Sequence, residues 1–474
     1  MLLVAAASAL PESGALAGVV SIWTGAAGEL FSEPDNWSPA PPTVADTALF
    51  DLAGSHTVVL DEPSDLHQVI LRDGQWSFEL LNPIEALSTT ALVPSWVIGD
   101  TAGFSSSLTA SDGSLLGQFM DVASAAGGFG SLVVESGASV ELGEILSVGP
   151  RGTGLVAVDG VLQARRAISG ALGAGFGSLV VSGVGASAFI DELLSIGQKG
   201  GGGLTVASGA SASAGTMIVG FDVGSTGLAT ITGPDASLSV AGRVDIGRNG
   251  IGEVDVLDGA SVTFGDDLIL GTIAATFPSM PPAPAGEGTL IVEGAGSVVT
   301  VAGTCHAPLT GFGTLRVNDG GQLLAASVKV NAALTTLSFR VGASGGPACI
   351  QVGGLFSGAG ATPCSVTFQR GFVPAYGQEF TLIAAAGMTG SFALNLPAVP
   401  PPLTISGGIE TTGSGKALIV RIGANADLNG DGVVDSTDLG ILISAWGSSG
   451  TGDLNGDGVV DGTDLGILLA QWEP

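Results

Sequence analysis

Between residues 127 and 320 the apolar positions recur in short alternating runs, each bracketed by glycine. Gly128-Phe-Gly-Ser-Leu-Val-Val134 is answered by Gly175-Phe-Gly-Ser-Leu-Val-Val181, and related runs start at Gly202, Gly250, Gly286 and Gly311. A second short apolar run follows each and often ends in Val/Ile-Gly, as at Val148-Gly149, Ile196-Gly197, Val219-Gly220 and Ile246-Gly247. The period is roughly 23–26 residues, with one step of about 36 at a Pro-rich insertion, and such a period signals a solenoid. The runs are rich in β-branched residues and too short for helices, so they predict strands. Glycine supplies the positive-φ corners. One unit cannot bury its apolar side alone, whereas stacked units put Val on Val and Leu on Leu.

These features predict a mainly β chain built on a parallel β-helix, with β caps at its ends and a small α module after it. At about 4.8 Å per coil, nine coils give a rod about 45 Å long, and strand twist favours a right hand. Facing antiparallel hairpins in a sandwich are the alternative. Five regions follow: a signal-peptide-like start at 1–17, an N-terminal β cap at 20–95, solenoid repeats at 97–330, a C-terminal β cap at 335–422, and a terminal module at 424–474. The first is apolar (Met1 to Leu10), with a small-x-small site at Ala15-Leu16-Ala17 but no basic n-region. Export to the cell surface or extracellular space is therefore expected. No segment reads as a membrane span. Trp23, Trp37 and Phe50 suit a cover for the first coil's open apolar layer. The Pro-rich break Phe277 to Pro284 reads as a loop, since the repeat resumes in phase at Gly286.

Composition narrows the function. Thirteen Lys+Arg stand against 43 Asp+Glu, a net charge of -30, which repels nucleic acid and attracts divalent cations. Low charge content (12%) and a mean hydropathy of +0.53 argue against disorder. Cys305, Cys349 and Cys364 lack metal-ligand spacing. Cys349 and Cys364 could close a short disulfide loop in an exported protein, and three buried thiols is the other reading. His56, His67 and His306 are scattered.

The sharpest chemical pattern is terminal. Asp427-Leu-Asn-Gly-Asp-Gly-Val-Val-Asp-Ser-Thr-Asp438 recurs as Asp453-Leu-Asn-Gly-Asp-Gly-Val-Val-Asp-Gly-Thr-Asp464. This is the spacing of an EF-hand loop, with Asp in place of the final Glu. Calcium is a hard cation that takes six to eight oxygens. Asp427, Asn429 and Asp431 can offer side-chain oxygens, Val433 its carbonyl, Asp435 a water-mediated contact and Asp438 a carboxylate. Asp453, Asn455, Asp457, Val459, Asp461 and Asp464 repeat those roles, so two Ca²⁺ ions are expected. Leu439, Leu442, Ile443 and Trp446, mirrored by Leu465, Leu468, Leu469 and Trp472, predict one apolar helix face after each loop. No helix is predicted before either loop. Four carboxylates crowd each loop, so folding of the module is expected to require metal.

This duplicated loop–helix closely resembles the type I dockerin. The resemblance implies docking to a cohesin-like module or another surface protein through residues 424–474. Ser436-Thr437 and Gly462-Thr463 occupy the family's recognition slots, but the basic residues common in dockerin helices are missing from both helices here. The Trp23-Thr-Gly25 to Phe50 run and the Gly-rich repeats resemble bacterial surface proteins with autotransporter-type and PEP-CTERM-associated repeats. That resemblance implies a fold, not an activity. Paired carboxylates that could cleave sugars are few: Glu141 and Glu144, Asp191 and Glu192, Asp266 and Asp267, with Arg165-Arg166 the one basic pair. The expectation is an exported, non-catalytic scaffold with no catalytic residues. The alternative is a carbohydrate-binding or polysaccharide-degrading β-helix protein, attached through its dockerin, with extracellular polysaccharide as its ligand.

Overall fold

The computed structural model describes residues 18–88, 93–272, 285–342 and 346–473. The signal-like start at 1–17 and the Pro-rich break at 277–284 lie outside them. The chain is a mainly β parallel solenoid of about 13 turns, followed by two short helices. Pairing decides between coil and sandwich. Phe129–Val134 pairs in parallel with Thr153–Val158, which pairs in parallel with Phe176–Ser182. The same rule holds for the second strand of each coil: Ala138–Val148 lies parallel to Val161–Ser169, with a register slip between Leu142 and Ile145. The slip bends that strand and splits it across two faces, so a coil has three sides. One ladder can be followed through thirteen successive strands from Ser64–Leu66 to Glu379–Asn395.

There are more coils than the nine expected, because parallel pairing extends beyond the recognisable repeat in both directions. Thr47–Val59 and Gln68–Glu79 already pair in parallel near the N-terminal end. Toward the other end Ile350–Phe368 pairs in parallel with Glu379–Asn395. Antiparallel pairing takes over only with Leu403–Thr412 and Gly415–Ala424.

The core is a set of vertical stacks. Leu132, Val156, Leu179, Leu204, Ala229, Val254, Leu290 and Leu315 follow one another across successive coils, all buried. Alternation along each strand sends their neighbours outward. Two glycines meet at one corner of several central coils. Gly149 takes φ +59, a conformation that favours glycine. Gly154, facing it, has no room for a side chain, since a Cβ there would sit 2.3 Å from the Gly149 nitrogen. This pinch explains the Val-Gly and Gly-x-Leu-x-Val signatures together.

The N-terminal coils are filled with aromatic rings. Trp23 meets Trp37 edge-on at 5.1 Å, and Phe50 packs on Trp37, Trp76 and Phe78. Near the other end Phe368, Phe372 and Phe380 form a smaller cluster. All three cysteines are free thiols, and burial pushes Cys305 up to about 12.

Candidate functional site

After the last β-strand the chain enters a module with its own small core, made of Ala424, Ala426, Val434, Leu442, Leu454, Val460, Ile467 and Leu468. Its helices, α1 (Ser436–Ser444) and α2 (Gly462–Ala470), each begin at the end of one acidic loop. Asp435 and Asp461 are the N-caps. Each accepts a backbone N–H two residues on, and its own backbone N–H donates to the carboxylate of the third helical residue, Asp438 or Asp464, which completes a capping box.

Within each loop the acidic side chains organise backbone amides. Asp427 accepts N–H bonds from Gly430, Asp431 and Gly432 at 2.8–3.1 Å. Asn429 Oδ1 accepts from Asp431 N, and Asp431 Oδ1 from Val433 N. Gly432 and Gly458 turn the chain at φ +91 and +94. Asp438, fully buried, accepts from the backbone N–H of Leu428, Asn429 and Asp435. Burial opposes its ionisation, yet these three donors outweigh that and hold its carboxyl below the usual range. The second loop repeats the design: Asp453 binds Gly456 and Gly458, and Asp464 binds Leu454, Asn455 and Asp461.

The twelve residues singled out in the sequence thus fall into two equivalent loops, six in each. Among the described residues no group of three or more His, Cys, Asp or Glu side chains is drawn together so as to hold a metal ion. Their carboxylates are turned onto their own loop amides. The donor set still suits a hard cation, because every candidate ligand atom is oxygen. A carboxylate has about four lone-pair sites, so Asp427 and Asp438, with three N–H bonds each, retain about one apiece.

The two repeats are tied to each other in a way the sequence does not announce. The Val434 carbonyl in the first loop accepts from Glu473 N, just beyond α2. The Val460 carbonyl in the second accepts from Gly447 N, just beyond α1. Gln471 bonds the Ala424 carbonyl at 3.1 Å and so clamps the end of the module to its entry strand. These are backbone and amide contacts, and periodicity alone carries no signal for them. The predicted helix faces divide: Leu442 and Leu468 are buried, whereas Ile443, Trp446 and Leu469 are each at least half exposed. Asp427 and Asp453 both open onto a groove of about 610 Å³ that also borders Pro401, Pro402 and Leu403 of the antiparallel cap.

Three of the six carboxylates named as sugar-cleaving candidates, Glu144, Glu192 and Asp267, are engaged in other contacts. Arg165 bridges Glu144 and Glu192, and Arg166 also binds Glu192, forming one network across three coils. Asp267 accepts the Thr304 N–H at 2.7 Å and lies 3.9 Å from His306 Nε2. No described helix is long and apolar enough to cross a membrane.

Fold and tail together define a β-solenoid protein that carries a duplicated acidic loop–helix module. Compared with protein-family models and with curated proteins, the chain matches none of either.

Proposed function

We propose that this chain is an exported, non-catalytic scaffold in which a stiff β rod carries a dockerin-like module that binds two Ca²⁺ and docks a partner protein at the cell surface. The observation that carries the reading is the duplication itself. Two loops of identical acidic spacing each cap a helix, tie to each other reciprocally, and leave Ile443, Trp446 and Leu469 exposed. Large apolar residues exposed on so small a module suit a partner surface. In the holo form Asp427, Asn429, Asp431, the Val433 carbonyl and Asp438 would hold one ion, and their counterparts from Asp453 to Asp464 the other. Each ion supplies the charge that lets four loop carboxylates stay ionised together.

Calorimetric titration of the chelator-stripped full chain should show two Ca²⁺ per molecule. The double variant Asp427→Ala/Asp453→Ala should abolish that heat. A stoichiometry of zero, with no calcium-dependent capture of any cell-surface protein, would refute the proposal. A cohesin-like partner is the first to test, with Ile443→Ser/Leu469→Ser expected to abolish capture while leaving calcium binding intact.

A further inference from the structure

A groove of about 830 Å³ runs along the outside of the rod, far in sequence from the acidic tail. Its lining comes from five successive coils, and Val97, Asp121 and Ser147 follow one another in register on its floor. Four coil steps of about 4.8 Å give it a length of about 19 Å. One wall is the row of corner loops that follow Gly149, Gly170 and Gly197. All three glycines have positive φ, so the residues just after them project in a column. Those residues include Arg151, Leu172 and Lys199.

The groove is unusual for this molecule in charge. Arg151 and Lys199 are both exposed, and among the described residues neither has a carboxylate within salt-bridge distance, in a chain with a net charge of -30. They project from coils two steps apart, about 10 Å along the rod. The carboxylates nearby are accounted for. Asp100 is paired with Arg72 at 3.1 Å. Asp121 is largely desolvated, which pushes it up to about 6, while a hydrogen bond with Ser147 and the nearby Arg151 pull the other way. Ser147 and Gln198 add neutral hydrogen-bonding groups, and half-exposed Leu172 sits between the two cations.

We infer that this groove binds an extended anionic glycan, with Arg151 and Lys199 receiving carboxylates on the chain and Ser147, Gln198 and Leu172 meeting its hydroxyls and the apolar face of a ring. A long, shallow channel that carries Arg151 and Lys199 two coils apart among small polar groups, with Asp100 tied to Arg72 and Asp121 bonded to Ser147, suits a polymer rather than a compact metabolite. It suits a glycan better than a peptide for a physical reason. The channel lies on the face of a parallel sheet whose backbone groups are spent on neighbouring coils, so an extended peptide finds no edge to join. This site is independent of the calcium loops and stands whether or not they bind metal.

The test is calorimetric titration of the full chain, in chelator so that calcium bridging is removed, with a galacturonate tetramer, a neutral galactose tetramer and an acidic decapeptide. Binding of the galacturonate tetramer alone is expected. It should weaken about tenfold in Arg151→Ala and again in Lys199→Ala, as for lost charge-assisted bonds. Arg370→Ala, an exposed cation outside the groove, should leave it unchanged. Absence of binding at millimolar tetramer, equal binding of the neutral tetramer, equal binding of the peptide, or full affinity in the Arg151→Ala/Lys199→Ala double variant would each overturn the assignment.

Discussion

The rod and the tail hold their turns by opposite means. In the rod, a corner is made by removing side chains: Gly149 adopts a left-handed conformation and Gly154 leaves room for it. In the tail, a turn is made by adding them: Asp427 reaches forward and Asp438 back to receive six backbone N–H groups between them. The rod can use the cheaper device because each coil inherits its hydrogen bonds and its apolar stack from the coil before it. The tail has only eight buried apolar residues in its core, too few to order a chain of its length by burial alone. Polar satisfaction takes over where apolar area runs out. The rod is held by stacking and burial, and the tail is built around the oxygen groups that cations and protons address.

The largest effect that would sharpen this contrast is in the rod. Gly177→Ala places a Cβ 2.0 Å from the Val148 carbonyl oxygen. A loss of about 4 kcal/mol or more is expected in denaturant melts of the rod, the range reserved for core disruption. The calcium binding proposed for the tail should survive until the rod itself unfolds. If both fail together, the two cores are one cooperative unit.

Next in size is Asp438→Ala, which strips three part-buried backbone donors of their acceptor at once. A loss of about 3 kcal/mol is expected, confined to the tail transition in calorimetry. Asp438→Asn should recover only part of it, since an amide offers one acceptor oxygen in place of two.

Protons should act on the two regions with opposite sign. Asp121 and Asp255 in the rod are pushed up to about 6, both chiefly by burial. Folded Asp121 and Asp255 therefore hold protons that the unfolded chain has released. Their contribution falls as pH rises from the ordinary 3.8 to about 6, and acidification over that window stabilises the rod. Asp438 is held below 3.8, so its contribution is complete above that value and is lost as pH falls beneath it. Scanning calorimetry from pH 7 to 3 should show the rod transition rising while the tail transition holds, and the tail collapsing only at the acid end.

The smallest effect is Asp255→Asn. Asp255 carries a buried Oδ1 without a hydrogen-bond partner and lies in the field of Glu253 and Glu293, offset in part by Arg316. Neutralising it should raise the rod's melting temperature at pH 7 by on the order of 1 °C and flatten its pH response.

Much of this was legible in the chain itself. The solenoid followed from the Gly-x-Leu-x-Val and Val-Gly runs, because a coil that stacks on copies of itself must repeat its inward residues. The length did not, since coils built from Trp76, Phe78 and Trp96 near one end, or Phe339 and Phe356 near the other, fill the same interior with different volumes. A pattern search sees identity, whereas stacking requires only that each layer be apolar and fit its neighbours. The two helices and their starting points were equally readable from the Asp-x-Asn-x-Asp-Gly spacing. The split of each helix face was not, because the choice between burying Leu442 and Ile443 depends on where the other repeat lies.

The outer groove shows the same limit. Arg151 and Lys199 are 48 residues apart, and the recurring Val/Ile-Gly corner before each was the one hint that they share a column. What the sequence alone determined is the periodic part: strands, corners, the stacking interior and two acidic loops that cap two helices. Each of those depends on residues close along the chain or on a repeat of fixed length. Only the tertiary structure decided the number of coils, the carboxylates consumed by Arg165 and Arg166, the reciprocal tie between the loops, and the cations left facing one channel. Those outcomes depend on which distant residues share a coil height or a corner, and that is settled by register between coils.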